Sequence, residues 1–186
     1  MSKLETNTID TVSGTTNLTI GSTNTSTITM PNGALSGQNY PAFEATISAN
    51  FSLTDLTAVK VQFDTENFDT DNCYDNSTNY RFTPTVAGKY FVYTDLSMDT
   101  QQTASLKQGS VYIYKNGSAV KESETNFNDN FARRFNNKLT VVIDMNGSSD
   151  YLEVYCNLDN GVNNSNVQLN YRSGLSNYFG AYRIGA

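Results

Sequence analysis

Apolar and polar residues alternate over most of the chain from Tyr40 onward. Two clear examples of this alternation are the series Phe43, Ala45, Ile47 and the series Val59, Val61, Phe63. Successive side chains of a β-strand point to opposite faces of its sheet, so a period of two is typical of a strand buried on one side. The period of an amphipathic helix is almost nowhere present. The pattern therefore predicts an all-β fold for this part of the chain.

One segment and two turns carry the strongest local signals. The run Tyr90-Phe91-Val92-Tyr93 is apolar on both faces, which predicts a central strand. A strand over residues 111–114 leads to Asn116-Gly117, a pair that favours the type I′ turn of a hairpin, with a return strand near residues 118–124. A second pair, Asn146-Gly147, stands between alternating residues 139–145 and a strand predicted over 151–158. It indicates a second hairpin.

Further strands are predicted near residues 166–171 and 178–184, which brings the number to about ten, spaced by about 8 to 15 residues. Short strands in such a series predict a two-sheet antiparallel sandwich or jelly roll. The polar segments 66–79 and 121–137 are predicted as loops at its ends or flanks.

Residues 1–37 form a separate arm in this prediction, and residues 38–186 form the head. The arm is dominated by Thr, Ser, Asn and Gly, and the chain has no Phe or Tyr before Tyr40. The pairs Leu18/Ile20 and Ile28/Met30 offer too little apolar surface for a single copy to bury. Two interpretations remain open: a flexible tether, or a thin β-structured shaft formed when several copies wrap together.

The composition narrows the functional classes. The chain has 186 residues and no His, so neither a Ser-His-Asp triad nor a His-Cys zinc site can be built from it. Its formal net charge of −6 repels a phosphate backbone, and we expect no nucleic-acid binding. The remaining catalytic arrangement is a pair of carboxylates, as in glycosidases, and the spacing of Asp and Glu in the sequence does not indicate such a pair. We expect a protein without enzymatic activity or a cofactor.

The sequence contains no stretch near the run of about 20 apolar residues that a membrane span needs, and its first residues lack the apolar core of a signal peptide. We expect a soluble protein that is not exported by the usual route and does not insert into a membrane. In that setting Cys73 and Cys156 are expected to be free thiols. Cys156 alternates with apolar neighbours and is predicted to be a small core residue.

Several motifs resemble the complement C1q globular-head family. The most specific is Tyr80-Arg81-Phe82-Thr83-Pro84-Thr85-Val86-Ala87-Gly88-Lys89-Tyr90-Phe91-Val92; the others are Pro41-Ala42-Phe43, Val61-Gln62-Phe63-Asp64, Phe68-Asp69-Thr70, Ile113-Tyr114-Lys115-Asn116-Gly117, Asp150-Tyr151-Leu152-Glu153-Val154-Tyr155 and Tyr178-Phe179-Gly180-Ala181-Tyr182. The resemblance covers about residues 40–186. It implies a jelly roll of the C1q and tumour necrosis factor type that assembles as a homotrimer and works by binding. The collagen stalk of the animal family members is absent from this sequence.

The abundance of aromatic residues, 12 Tyr and 10 Phe, supports a trimer because one sandwich does not hide so many rings comfortably. Tyr90, Tyr155, Tyr178 and Tyr182 are predicted at the subunit interface; the alternative for each is an ordinary core or surface tyrosine. A threefold bundle would also let the arms share Leu18, Ile20, Ile28 and Met30.

The arm, with Leu18-Thr19-Ile20-Gly21 and Thr27-Ile28-Thr29-Met30-Pro31-Asn32-Gly33, resembles repeats of bacteriophage fibre and other virion structural proteins. This resemblance implies a protein made in the host cytoplasm and placed on the virion surface as a fibre, spike or decoration protein, attached to other virion proteins through the arm. Its head would bind a host glycan or protein, or stabilise the particle. The alternative is a secreted or cell-surface domain of cellular origin that binds carbohydrate or protein.

Two candidate sites remain to be placed. Asp69, Asp71 and Asp75, in an acidic stretch with Asp64 and Glu66, offer oxygens of the kind that Ca²⁺ prefers, although Cys73 stands where a calcium loop would want Asp or Asn; the alternative is solvated loop carboxylates. Arg133 and Arg134 follow Phe127 and Phe131 and precede Phe135. The phenylalanines are predicted to be core anchors, and the arginines to be exposed and receptor-binding.

Overall fold

The head is all-β, as its alternation predicted. The structure, a computed structural model, describes residues 40–101, 104–161 and 167–185. The thirteen strands in these ranges are β1 (Ala42–Thr46), β2 (Phe51–Leu53), β3 (Val59–Lys60), β4 (Thr65–Asp69), β5 (Tyr74–Asp75), β6 (Arg81–Phe82), β7 (Gly88–Asp99), β8 (Leu106–Lys115), β9 (Ser118–Asn126), β10 (Arg134–Met145), β11 (Leu152–Asn160), β12 (Val167–Leu169) and β13 (Tyr178–Gly185). These described ranges contain no helix. The predicted arm contacts Leu18, Ile20, Ile28 and Met30 lie outside them.

Two antiparallel sheets form a jelly-roll sandwich. In the seven-stranded sheet A, β7 pairs along its whole length with β10 on one side, and with β13 and then β12 on the other. β1 and β4 continue the sheet beyond β13, and β2 lies beyond β12. Sheet B has the order β5-β6-β11-β8-β9, with β3 also on β11. The prediction that residues 90–93 belong to a central strand is confirmed.

The core between the sheets is organised around Phe43. Its ring stacks on those of Tyr74 and Phe82, with centroids 4.6 Å away in each case, and meets Phe179 edge-on at 4.9 Å. Aromatic pairs in such geometries add to the free energy that burial provides. Cys156 is buried in this core, as predicted, and both cysteines are free thiols whose pKa is raised by burial.

Tyr90 belongs to the same core, which corrects its assignment to a subunit interface. Its ring is fully buried against Phe82, and its hydroxyl donates a hydrogen bond to the carbonyl of Val86 at 2.7 Å. Burial raises the pKa of Tyr90 to about 12. Tyr90 and Val92 are two residues apart on β7, so their side chains lie on the same face of the strand, which is the face toward the core. The sequence did not show this, because the run from Tyr90 to Tyr93 is apolar on both faces.

The first predicted hairpin is confirmed. Strands β8 and β9 pair in sheet B and are joined by Asn116 and Gly117, with φ of 53° and 80°. Positive φ at both central positions is what a type I′ turn requires.

The second predicted hairpin is wrong, because β10 pairs with β7 in sheet A whereas β11 pairs with β8 in sheet B. The segment 146–151 therefore crosses from one sheet to the other. The Asn146 side-chain oxygen accepts hydrogen bonds from the backbone N–H groups of Ser148, Ser149 and Asp150, each at 3.0 Å. Asn therefore forms an Asx turn here, in a connection between the two sheets, whereas at Asn116-Gly117 the same dipeptide forms a hairpin turn.

Lys115 ties this corner to sheet B. Its ammonium group lies 2.8 Å from the Asp150 carboxylate, and the side chain of Asn116 donates to the same carboxylate at 2.7 Å. The bonds from Lys115 and Asn116 lower the pKa of Asp150. Sequence spacing alone did not show this long-range partnership.

The two segments predicted as long loops also contain strands. Residues 66–79 include most of β4 and all of β5, and β9 extends to Asn126 before β10 begins at Arg134. The loop in the second segment is therefore limited to residues 127–133. The many Asn, Asp and Glu side chains there point to solvent from an edge of each sheet, where polar residues are tolerated in strands.

Gly147 is the position where the corner most needs a glycine. It has φ of +69°, and a Cβ there would collide with the backbone of Val86 and Ala87. We expect Gly147→Ala to lower the free energy of unfolding by about 2 kcal/mol or more. The alanine would have to adopt a strained positive φ, and the backbone near Val86 and Ala87 would have to move to make room for its Cβ. Gly174→Ala is the matched control because its φ is +77° and nothing lies within 4 Å. Urea unfolding of both variants measures the difference, and equal costs would contradict the clash.

The strand register defines two ends of the sandwich. We call the end that holds Tyr40, the 116–117 turn and the 146–151 corner the base. We call the end that holds Thr100 and the 127–133 loop the tip. Strand β7 runs from base to tip, with Gly88 opposite Met145 and Asp99 opposite Arg134.

Candidate binding surfaces

The outer face of sheet A carries a set of six large apolar side chains. We call this set the aromatic face; its members are Phe68, Phe91, Tyr93, Val142, Tyr178 and Tyr182. Five of them alternate with core residues along β7, β10 and β13, and Phe68 pairs with Glu44, which lies between the core residues Phe43 and Ala45 on β1. All six therefore lie on the side away from sheet B. The Phe91 ring centroid lies 5.4 Å from that of Tyr182 and 6.1 Å from that of Tyr93, and Val142 stands opposite Phe91 in register. Phe68, Val142 and Tyr182 are each close to half exposed.

Tyr93 is held rigidly at the centre of this face. It stands opposite Gly180 in the register, and its ring occupies the space that a side chain at Gly180 would fill. Its hydroxyl donates to a Glu44 carboxylate oxygen at 2.9 Å, and Asn67 donates to the other oxygen at 2.8 Å. Burial and the bond to Glu44 raise the pKa of Tyr93. The ring is thus fixed before any partner arrives.

The structure separates the four tyrosines that were predicted at an interface. Tyr178 and Tyr182 lie on the aromatic face, Tyr90 lies in the core, and Tyr155 lies on the outer face of sheet B. Phe91 and Tyr93 were missed, although their alternation with Tyr90 and Val92 was visible in the sequence. The sequence did not show which pair faces the core, Tyr90 and Val92 or Phe91 and Tyr93.

The outer face of sheet B is a second aromatic surface with charged groups among its rings. Tyr114 and Tyr155 are stacked with centroids 4.1 Å apart. Beside them the Glu153 carboxylate, which is almost fully buried, lies 3.1 Å from the Lys60 ammonium and 3.8 Å from Arg81. Lys60 and Arg81 carry two positive charges against the one negative charge of Glu153, so these three residues have an excess of one positive charge.

The three predicted calcium ligands are engaged with neighbouring turns. Asp75 accepts backbone N–H bonds from residues 77–79, and these bonds lower its pKa. Asp69 accepts the backbone N–H of Tyr74 at 2.8 Å, and Asp71 accepts the Thr85 hydroxyl at 2.6 Å. Asp75 also lines a polar cleft of about 390 Å³ that Arg81 borders. Within the described ranges no three acidic, cysteine or histidine side chains are grouped as metal ligands.

Arg133 and Arg134 meet at the tip around one buried carboxylate. The Arg134 guanidinium lies 2.6 Å from Asp99, and the Arg133 guanidinium lies 3.8 Å from the same side chain. Arg134 also donates to the side-chain oxygen of Asn170 at 3.1 Å, and Arg133 to the carbonyl of Gln101 at 2.6 Å. Arg133 is 55 % exposed and Arg134 35 %, whereas Asp99 is only 2 % exposed. We call these three residues with Asn170 the tip cluster.

The phenylalanines near the tip cluster are half buried. Phe127 meets Phe135 edge-on at 5.0 Å, and Phe131 packs against Gly161. They form no helical turn, and each fixes the 127–133 loop to a strand or turn beneath it. Phe135 packs against the core as predicted, whereas Phe127 and Phe131 are half buried at the tip, and Arg133 and Arg134 are exposed as predicted.

In the described part of the chain, no helix has the length and apolar character needed to cross a membrane.

Comparison with known proteins supports the fold. No protein-family model and no curated protein matches the sequence. A crystal structure of murine APRIL at pH 5.0 superimposes with a TM-score of 0.56 at 9 % identity, covering 78 % of this chain and 100 % of that one. The globular domain of zebrafish complement 1qA protein gives a TM-score of 0.54 at 14 % identity, covering 78 % and 98 %. The predicted jelly roll of the C1q and tumour necrosis factor type is confirmed as a fold.

Proposed function

We propose that the protein is a non-enzymatic, homotrimeric binding protein whose subunits meet through the aromatic face. The observation that supports this proposal is the aromatic face itself, in which five large apolar side chains are neighbours on one sheet of a single subunit and Phe68 lies beyond Glu44. Contiguous apolar patches of this kind are rare on monomers and typical of interaction surfaces. Aromatic residues bring much contact area for little conformational entropy. Domains of the C1q and tumour necrosis factor type assemble as homotrimers, which supports three copies.

Closure of a ring explains why Tyr155 is left out of this interface. In a ring of three, each subunit uses two different surfaces, and these must be inclined to each other for the ring to close. The outer faces of sheets A and B point in opposite directions, so a contact between them would generate an open row of subunits. Among the described strands, β10 is an edge of sheet A that borders the aromatic face through Val142. We propose the aromatic face and the part of this edge around Val142 as the two surfaces, with Arg134, eight residues away at the tip end of β10, outside the contact.

We further propose that the trimer is a bacteriophage virion protein, a surface fibre, spike or decoration protein. The arm would attach to other virion proteins through Leu18, Ile20, Ile28 and Met30. The support for this is the arm's composition and its resemblance to fibre repeats. Tyr40, where the described chain begins, lies at the base, which is consistent with a head that presents its tip outward. Three weak sites on one head then raise avidity by about 10² to 10⁴ without new contacts.

A cellular origin is the second candidate. The fold is equally consistent with a secreted or cell-surface domain that binds carbohydrate or protein. Mass spectrometry of purified virions distinguishes the two, because a cellular protein is absent from the particles.

We expect a full-length variant with Ser at positions 18, 20, 28 and 30 to leave the head folded and trimeric but to lower its incorporation into virions at least tenfold. The four substitutions remove the apolar groups that the arm can bury against a partner. Quantitative mass spectrometry of particles from cells expressing the variant measures incorporation, and Leu175→Ser, at an exposed position of the head, is the control. Unchanged incorporation would show that the arm is not the attachment.

A further inference from the structure

The tip cluster contains more positive than negative charge. Two guanidinium groups share the single Asp99 carboxylate, which leaves one positive charge uncompensated. Arg172 adds another exposed guanidinium two residues after Asn170. The tip cluster thus has, in a chain with a net charge of −6, the same local excess of one positive charge that Lys60 and Arg81 have around Glu153. It favours a ligand with negative charge.

The two guanidinium groups are oriented before a ligand binds. Asp99 is held by the backbone N–H of Gln101, which it accepts at 2.8 Å, and it holds Arg134 in turn. The loop is tied down as well, because the carbonyl of Arg133 accepts the N–H of Thr100 at 3.1 Å. Groups fixed in this way lose little conformational entropy when a ligand binds. A guanidinium also presents its N–H donors as a planar fork that matches the two oxygens of a carboxylate.

The surroundings of the two arginines are rich in amides. Asn136 and Asn170 flank Arg134, with Asn136 donating to Asp95 at 2.8 Å. Tyr171, next to Asn170, is 38 % exposed. Amides both donate to and accept from sugar hydroxyls, and an exposed ring stacks on a sugar face. This combination fits an acidic sugar better than an acidic peptide.

We propose that Arg133 and Arg134 bind a carboxylate group of an acidic polysaccharide, with Asp99 and Asn170 as positioning residues. This inference deepens the proposed function, since it names the ligand class of the binding head and rests on the head being a binding protein. The site belongs to a single subunit, so a single copy binds weakly and the trimer binds by avidity. Arg134 pairs with Asp99 at the tip end of β7, four residues or about 13 Å beyond Asp95, which pairs with Tyr178, the member of the aromatic face nearest to the tip along β7.

Isothermal titration calorimetry on the full-length protein tests the proposal. The probes are polygalacturonate, alginate, hyaluronate and polysialic acid, each at low salt and again in about 0.5 M NaCl. We expect at least one of them to bind, and its binding to weaken at least tenfold in the higher salt. We expect Arg133→Gln and Arg134→Gln each to weaken that binding at least tenfold, because each removes a charge-assisted hydrogen bond. Methyl esterification of the polysaccharide carboxylates should abolish the binding.

Lys89→Gln is the matched control. It removes the same charge from an exposed ion pair with Asp144 near the base, where the two side chains are 3.4 Å apart, and should change binding less than twofold. Arg133→Lys, which keeps the charge but not the fork, should restore only part of the affinity. Near-UV circular dichroism and sedimentation of each variant verify the fold and the oligomer.

Three results would overturn the inference. The first is no binding of any of the four polysaccharides by the trimer. The second is equal weakening by Lys89→Gln, which would mean that attraction is general to the surface. The third is binding of polyglutamate as strong as that of the polysaccharides, which would assign the site to acidic peptides. A protein that fails to form trimers yet binds with these arginine effects would refute the assembly and leave the ligand site intact.

Discussion

A variant that carries Val142→Glu and Tyr182→Glu is expected to be a monomer, whereas the natural chain sediments with a mass near three times 20.5 kDa. Both residues lie on the aromatic face, one opposite Phe91 and the other beside it. A carboxylate placed against an apolar partner surface costs several kcal/mol of desolvation, so two of them weaken association by about 10⁴-fold or more. Both side chains are about half exposed in one subunit, so the fold itself should tolerate the change.

Sedimentation equilibrium at micromolar concentration measures this result. Tyr155→Glu is the control, because it places the same charge on an aromatic residue of the opposite sheet and should leave the trimer intact. Dissociation by Tyr155→Glu, or a double variant that stays trimeric, would place the interface elsewhere. A natural chain that is monomeric under these conditions would refute the assembly itself.

Phe43→Ala is expected to lower the free energy of unfolding of the head by about 3 to 5 kcal/mol, the usual cost of truncating a buried phenylalanine. Phe43 is fully buried and contacts the rings of Tyr74, Phe82 and Phe179, so its loss leaves a cavity that four strands from both sheets surround. For a domain of this size the change corresponds to a fall in Tm of about 6 to 20 °C.

Calorimetry and urea unfolding measure this loss. Leu175→Ala, at a side chain that is 79 % exposed, should alter stability by about 0.5 kcal/mol or less. A Phe43 variant as stable as the Leu175 variant would show that the two sheets do not pack around this ring.

The strands and one turn followed from local sequence. Residues 43–47 alternate between apolar and polar side chains, and residues 90–93 are apolar throughout; both patterns are typical of strands. Asn116-Gly117 joins two strands that are neighbours both in sequence and in the sheet. At Asn146-Gly147 the same dipeptide ends in a different structure. Partners far away in the chain, Lys115 and the backbone near Val86, decide that the corner passes to the other sheet.

The tip cluster and the aromatic face show the same limit on a larger scale. Arg133 and Arg134 were singled out from their loop, but Asp99, 34 residues earlier, became visible as their shared partner only through the pairing of β7 with β10. Of the four tyrosines predicted at an interface, Tyr178 and Tyr182 point outward from sheet A. Tyr155 also points outward, but from sheet B, and Tyr90 points into the core.

The sequence by itself determined that the head is built of strands, which residues of each strand share a face, and that no site that requires histidine can be built from this chain. These properties depend on neighbouring residues and on composition. The tertiary structure alone decided which face of each strand is the core, which sheet each strand joins and which distant side chains share a charge. These properties depend on pairings between segments far apart in the chain, whose free energy arises only when both segments are in place.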